Sequence, residues 1–249
     1  MRKIGFVFLL LALVAAPATA ADEMLEWGVY GGFDVGAAFY DLRDFNDYFD
    51  ALWINDFPGV VPLAGGQLYM ILGSRFHLGF EGQMWSLYQQ GALADAHFIG
   101  YHGDFVFGYD AIARPNWRLR PQLGLGGTAA RVVVDGVNTD YVDIDLPDGC
   151  NQVRYDKSAI LGRLGVAIEW TPTFYRDGNG LLGMVYSLSV GMLAPLSEDE
   201  WEITATGGGE DRDIEADGPD LNLTGGYLLL GVYFGGGIHS GASAAVVSE

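Results

Sequence analysis

From Glu26 the chain alternates. Trp27, Val29, Phe33, Val35, Ala37 and Phe39 share one parity, while Glu26, Gly28, Gly32, Asp34 and Gly36 share the other. A two-residue period describes a strand with one apolar face. The same period returns along most of the chain. Leu68, Met70 and Leu72 mark a second strand from about Gly66. Leu78, Phe80, Met84 and Tyr88 then stand against His77, Gly79, Glu81 and Gln83, although Trp85 and Leu87 disturb the upper end. Ile99, Tyr101, Phe105, Phe107 and Tyr109 oppose Gly100, His102, Asp104, Gly108 and Asp110. The stretch WRLRPQLGLGGTAARVVV makes a fifth strand, with Arg118 and Arg120 on one side and Leu119, Leu123 and Leu125 on the other. Ile160 to Trp170 and Leu182 to Met192 make the sixth and seventh, and Leu221 to Phe234 the eighth. No sustained 3.6-residue pattern competes, so the chain is read as all-β.

The connections alternate in length. "GSRF" and "RPN" are tight turns of the kind Gly, Pro and Asn favour, whereas Asp41 to Leu63, Asp135 to Arg154 and Ser197 to Asp220 are long. Strands joined this way have a plain end and an elaborate end.

Two solvents could meet the apolar face. A soluble barrel would have to take about 40 bulky side chains inward, and an eight-stranded barrel is only wide enough for side chains to fill. A two-sheet sandwich could hold more, but glycine recurs on the opposite face, where a solvated surface would carry Lys, Glu and Thr. With lipid outside, bulky groups have room outward, and small residues with a few paired charges fill the lumen. An open sheet edge in hydrocarbon would leave backbone groups unpaired. The expectation is a closed antiparallel up-and-down transmembrane β-barrel of about eight strands. Trp27, Trp117, Trp170 and Tyr233 fall near the plain end and predict one interfacial girdle; Phe39, Tyr88 and Tyr186 predict the other.

Composition agrees: 50% of residues are hydrophobic and 37 are glycine. The start, MRKIGFVFLLLALVAAPATA, has the basic, apolar and small-residue regions of a signal peptide, predicting cleavage after Ala20. A retained anchor helix is the alternative. The domain reading is signal peptide 1–20, barrel 21–234 and a loose Gly/Ser/Ala-rich tail 235–249. The single cysteine, Cys150, excludes an intramolecular disulfide framework and reads as an exposed loop residue or, less simply, a thiol awaiting an intermolecular partner.

Without Arg2 and Lys3, 11 basic and 32 acidic residues remain, a net charge of −21. Most of the acids lie in the three long connections. Acidic loops stay solvated; stretches such as DGVNTDYVDIDLPDG and EDRDIEADGPD could also collect divalent cations, though neither has EF-hand spacing. Nucleic acid is argued against, because the loops lack the Lys and Arg that neutralise phosphates.

On lumen parity stand Glu26, Asp34, Glu81, Asp104, Asp110 and Glu169 with Arg118, Arg120 and Arg163. Charges in a narrow lumen must be paired, so a structural ion-pair plug is expected, with a narrow pore as the alternative. A hairpin at Pro115 sets Asp110 opposite Arg120, with Glu169 completing the group. His77 and His102, also on lumen parity, read as hydrogen-bonded residues before metal ligands. Arg131 breaks the pattern at lipid parity, 14 residues beyond Trp117. A spanning strand needs only about 9 to 11 residues, so Arg131 should stand above the membrane near lipopolysaccharide phosphates or the acidic loops. Ser86 and His97 both point outward and are the only nucleophile and base that suggest a lipid-facing hydrolase, with Asp95 as the one acid that could orient the histidine.

With short "GSRF" and "RPN" turns and long outer loops such as DLRDFNDYFDALWINDFPGVVPL, the chain from Leu25 to Phe234 resembles small eight-stranded bacterial outer-membrane barrels of the OmpA/OmpX and OmpW kind. Such proteins often finish on an aromatic residue read by the assembly machinery; here Tyr233-Phe234 is followed by further residues, which puts recognition of the last strand in question. The expected location is the outer membrane. The expected partners are its lipid and lipopolysaccharide, and no cofactor is expected. The leading functional expectation is a non-enzymatic barrel presenting an acidic outer surface. The second is a narrow channel or a conduit for small hydrophobic molecules, which the OmpW resemblance implies. The third is an acyl hydrolase or transferase.

Overall fold

The structure, a computed structural model, describes residues 25–50, 53–73, 75–114, 116–136, 149–177, 180–207, 210–215 and 217–239. The expected signal peptide and residues 240–249 of the expected tail lie outside the described residues. Eight long strands form the wall: β1 Leu25–Tyr40, β2 Val60–Leu72, β3 Phe76–Gln90, β4 Asp95–Tyr109, β5 Trp117–Asp135, β6 Cys150–Trp170, β7 Gly180–Glu198 and β8 Gly225–His239. Each pairs antiparallel with the next, and β8 pairs with β1 from Tyr40↔Gly225 to Leu25↔His239, which closes the ring. The fold is a closed eight-strand antiparallel β-barrel. At the plain end β2 turns into β3 through Gly73, whose φ of 57° lies in the left-handed region glycine tolerates.

Several boundaries differ from the sequence reading, the start of β8 at Gly225 rather than Leu221 among them. β6 begins at Cys150 rather than near Ile160, β2 begins at Val60 rather than near Gly66, and β8 runs to His239, past the expected end at Phe234. The first five residues of the supposed loose tail are therefore strand. For β6 and β2 the reason is an inversion of the pattern with height; β8 continues at the plain end because Gly235–His239 pair with the start of β1. Over the first ten or so residues above the plain end, apolar side chains point out: Phe33 is 79% exposed, and Phe80, Leu123, Leu125 and Ile168 are exposed with it. Higher up they point in. Val153, Tyr155, Trp85, Phe98, Val132 and Val134 are buried, while Arg131 and Asp156 sit on the outer face. In that part of the barrel an apolar core fills the inside. Trp85, which disturbed the third strand on paper, belongs to that core.

The long connections are also structured. Asp41 to Leu63, read as loop, contains the helix α1, Arg43–Asp50. The Asp41 carboxylate accepts from the Arg43 backbone N–H at 3.4 Å and pairs with its guanidinium at 2.6 Å. Eight residues are too few for a stable isolated helix. Tertiary packing holds α1: Phe45 and Phe49, one turn apart, are both buried. The segment after β7 forms an outer hairpin, Glu202–Gly207 with Glu210–Ile214, whose first strand extends the sheet alongside β6.

Candidate functional site

The interior has two layers. The one nearer the plain end is polar. Arg118, Arg120 and Arg163 project inward with Asp34, Glu81, Asp104, Asp110 and Glu169, and all eight are buried. Arg120 pairs with Glu169 at 2.5 Å, contacts His77, and lies over the Tyr69 ring with its guanidinium carbon 5.1 Å from the centroid. Asp110 does not partner Arg120 as the hairpin arithmetic predicted. The regular β4–β5 pairing ends at Gly108↔Gln122, before Asp110, and the Asp110 side chain lies beside Arg118 at 3.6 Å and His77 Nε2 at 3.0 Å. Nearer the middle, Arg163 pairs with Glu81, approaches Asp104 at 3.8 Å, donates to Tyr227 Oη at 2.8 Å and stacks on that ring.

Five carboxylates among the described residues face three guanidiniums, so ion pairing alone does not satisfy them. Neutral donors serve one of them: Asp34 is held by the Gln83 amide and by Tyr233 Oη at 3.4 Å. Gln83, Gln122 and Tyr227 were missed as site residues. The glutamines share parity with the charges and could have been read; Tyr227 lies in the unbroken apolar run YLLLGVYF, where parity carries no signal. Lumen glycines make the room. A Cβ on Gly108 would overlap the Arg120 side chain, and one on Gly165 would strike the Tyr227 hydroxyl.

The layer towards the elaborate end is apolar and aromatic. Phe45 and Phe49 of α1 meet the inward side chains of β4 and β6, with Phe45–Phe98 centroids 5.2 Å apart and Phe49–Tyr155 5.7 Å. Phe57 joins them, its backbone bracketed by the Asn46 side-chain amide at 3.0 and 3.1 Å. Leu221 and Leu223, before β8, are buried in the same cluster. Burial raises the pKa of the Tyr48 and Tyr155 phenols here.

Other expected residues fall as follows. Trp27, Trp117 and Trp170 are exposed at the plain end, and Trp117 sits directly opposite Trp170. Tyr233 is not on that outer girdle: it is 3% exposed and turned into the lumen, and its neighbour Phe234 takes the outward position. The Glu26 side chain lies outside the described residues. Cys150 is buried rather than exposed, its thiol 3.4 Å from the Gln152 carbonyl oxygen. Ser86 Oγ and His97 Nε2 do meet, at 2.7 Å on the outer face. Asp95, however, accepts from Tyr88 Oη at 2.8 Å and from Gly91 N at 3.4 Å. Of the two acidic stretches, residues 137–148 lie outside the described residues, and part of the other builds the outer hairpin. Among the described residues no three His, Cys, Asp or Glu side chains gather as a metal site.

No protein-family model matches the sequence, and no curated protein matches it. Solved structures similar in fold include three outer-membrane proteins. The outer membrane protein OprG from Pseudomonas aeruginosa is 12% identical, with a TM-score of 0.38 over 86% of this chain and 97% of that one. The outer membrane protease OmpT from Escherichia coli is 9% identical, with a TM-score of 0.32 over 90% and 99%. AlkL, determined in DMPC lipid bilayers, is 12% identical, with a TM-score of 0.28 over 93% and 97%. Likenesses at this level concern the fold and lend no residue roles.

Proposed function

We infer that the protein is a non-enzymatic outer-membrane barrel that anchors a strongly acidic surface on the cell exterior and serves envelope integrity or surface recognition. The observation that carries this reading is the filled interior, with a buried ion-pair and hydrogen-bond layer below and an aromatic plug above, inside a wall whose lower outer face is an apolar belt. Such a belt suits hydrocarbon and would be an aggregation hazard in water. The expected behaviour is heat-modifiable gel mobility in purified outer membranes and no steady conductance in planar bilayers. A protein found soluble in periplasm would sink the membrane reading, and a steady large conductance that Arg120→Ala abolishes would overturn the plug.

One observation favours a second reading, a conduit for small hydrophobic molecules: the outer half of the lumen is apolar. In that case α1 would have to move, and tethering it should block uptake of a hydrophobic tracer into vesicles. Unchanged uptake would remove this reading.

A further inference from the structure

On the outer wall the sheet is briefly unzipped. β7 leaves β6 at Glu198↔Ala159, and the outer hairpin rejoins it at Glu202↔Asp156. Between them a backbone bond from Asp199 N to Ser158 O, at 3.0 Å, holds the segment. Beside this gap lie two adjoining hollows of about 580 and 600 Å³ that share Tyr101, Ala129, Ser158 and Asp199. The lower is floored by Gly103 and Gly127 and edged by Ile160. The upper is lined by Arg131, Arg154 and Lys157, with Asp199, Glu200 and Glu202 on the facing rim.

Height decides what such a hollow meets. Trp117 and Trp170 are paired at the plain end, and about ten residues of strand cross the hydrocarbon. That distance ends near Gly127 and Ile160, so the lower hollow faces acyl chains and the upper one faces headgroups. The upper chemistry is fixed in place. Asp156 holds Arg131 through Nε at 2.6 Å and Arg154 through Nε at 2.8 Å, so one carboxylate orients two guanidiniums and neutralises one. Lys157 Nζ lies 5.6 Å from the centroid of the Trp201 ring. A matching ligand offers hydrocarbon below, an anion to the arginines and a cation to the acidic rim.

We propose that this two-part hollow binds the phosphorylated headgroup of an outer-leaflet glycolipid of the lipid A type. Its phosphate sits on Arg131 and Arg154, its bridging divalent cation on the Asp199 and Glu202 rim, and one acyl chain over Gly103 and Gly127. Guanidinium suits phosphate because it donates in a planar fork. The acidic rim alone does not form a metal site among the described residues; the lipid phosphate supplies the remaining oxygen ligands. The proposal rests on the membrane reading above.

The test uses the full chain refolded in detergent, with magnesium, and measures affinity for lipid A and for the same lipid with its phosphates removed. The expected result is preference for the phosphorylated lipid, a loss of about tenfold or more in the Arg131→Gln, Arg154→Gln double variant, and weaker binding in EDTA. Gly127→Leu, which fills the lower hollow, should weaken binding with the arginines intact. Arg212→Gln, on the outer hairpin, should leave binding unchanged. Equal affinity for the dephosphorylated lipid overturns the proposal, as does an unaffected double variant or a loss in Arg212→Gln as large as in the double variant. Heat-modifiable mobility is scored for every protein. A wild type that lacks it refutes the membrane reading itself, whereas a folded barrel without phosphate preference refutes only the site.

Discussion

The Arg120–Glu169 pair offers the sharpest energetic test. Glu169 is fully buried and Arg120 is 2% exposed, so solvent screens neither. Replacing Glu169 by alanine removes the carboxylate at 2.5 Å and leaves a guanidinium with His77 and the Tyr69 ring as its neighbours. Breaking a buried pair from one side costs about 3–5 kcal/mol, because the remaining charge stays desolvated. Removing both charges, as in Arg120→Met with Glu169→Leu, should cost far less or stabilise. Equilibrium unfolding in urea, with the barrel inserted in lipid and followed by tryptophan fluorescence, measures these proteins, and adding the single variants Arg120→Met and Glu169→Leu completes the cycle that isolates the coupling. If Glu169→Ala costs less than about 1 kcal/mol, the value of an exposed pair, water reaches Arg120 and the layer is a hydrated pore lining.

Further outcomes follow from the same interior. Phe49→Ala should destabilise the barrel by about 3–5 kcal/mol and expose α1 to protease, because the side chain is buried against Phe45, Phe57 and Tyr155. Stability and a limited-digestion time course would show it, and intact α1 at wild-type rates would contradict the plug. Gly100→Ala should displace Trp85, since a Cβ there falls inside the indole ring; a blue-shifted, unperturbed tryptophan spectrum would count against that packing. The phenols of Tyr48 and Tyr155 keep their protons longer in the folded state than in the unfolded one. Their contribution is therefore intact below about pH 10, the unfolded phenol's range, and is lost as pH rises beyond it. Phenolate absorbance against pH should show a late-titrating fraction that shrinks in Tyr155→Phe.

The barrel was legible because lipid imposes a strict rule on the lower wall. In β1, β4 and the lower halves of β5 and β6, every second residue had to be apolar, and the intervening residues had to fit a lumen only a few side chains wide. Parity alone therefore places Asp34, Asp104, Arg118, Arg120, Arg163 and Glu169 inside. It could not choose partners. Regular pairing stops at Gly108↔Gln122, so the position of Asp110 follows from the irregular chain beyond it, which leaves its carboxylate beside Arg118.

The outer half was misread for a different reason. Above the membrane the wall is bathed in water on its outer face, so the same two-residue period must run with the opposite sign. Val153, Tyr155 and Leu161 are apolar because they point in; Leu164 and Ile168 can be apolar because they point out. Read with one rule throughout, Cys150 to Ser158 is loop, Trp85 is noise and Arg131 is an exception. Read with the sign reversed, all three become regular, and so does the burial of Phe45 and Phe49. The height at which apolar residues change sides is thus a depth gauge written into the strands. On β5 and β6 it falls between Leu125 and Arg131 and between Ile160 and Asp156, the level at which the wall hollows stand. A site that takes hydrocarbon at one end and charge at the other belongs at such a boundary of the wall.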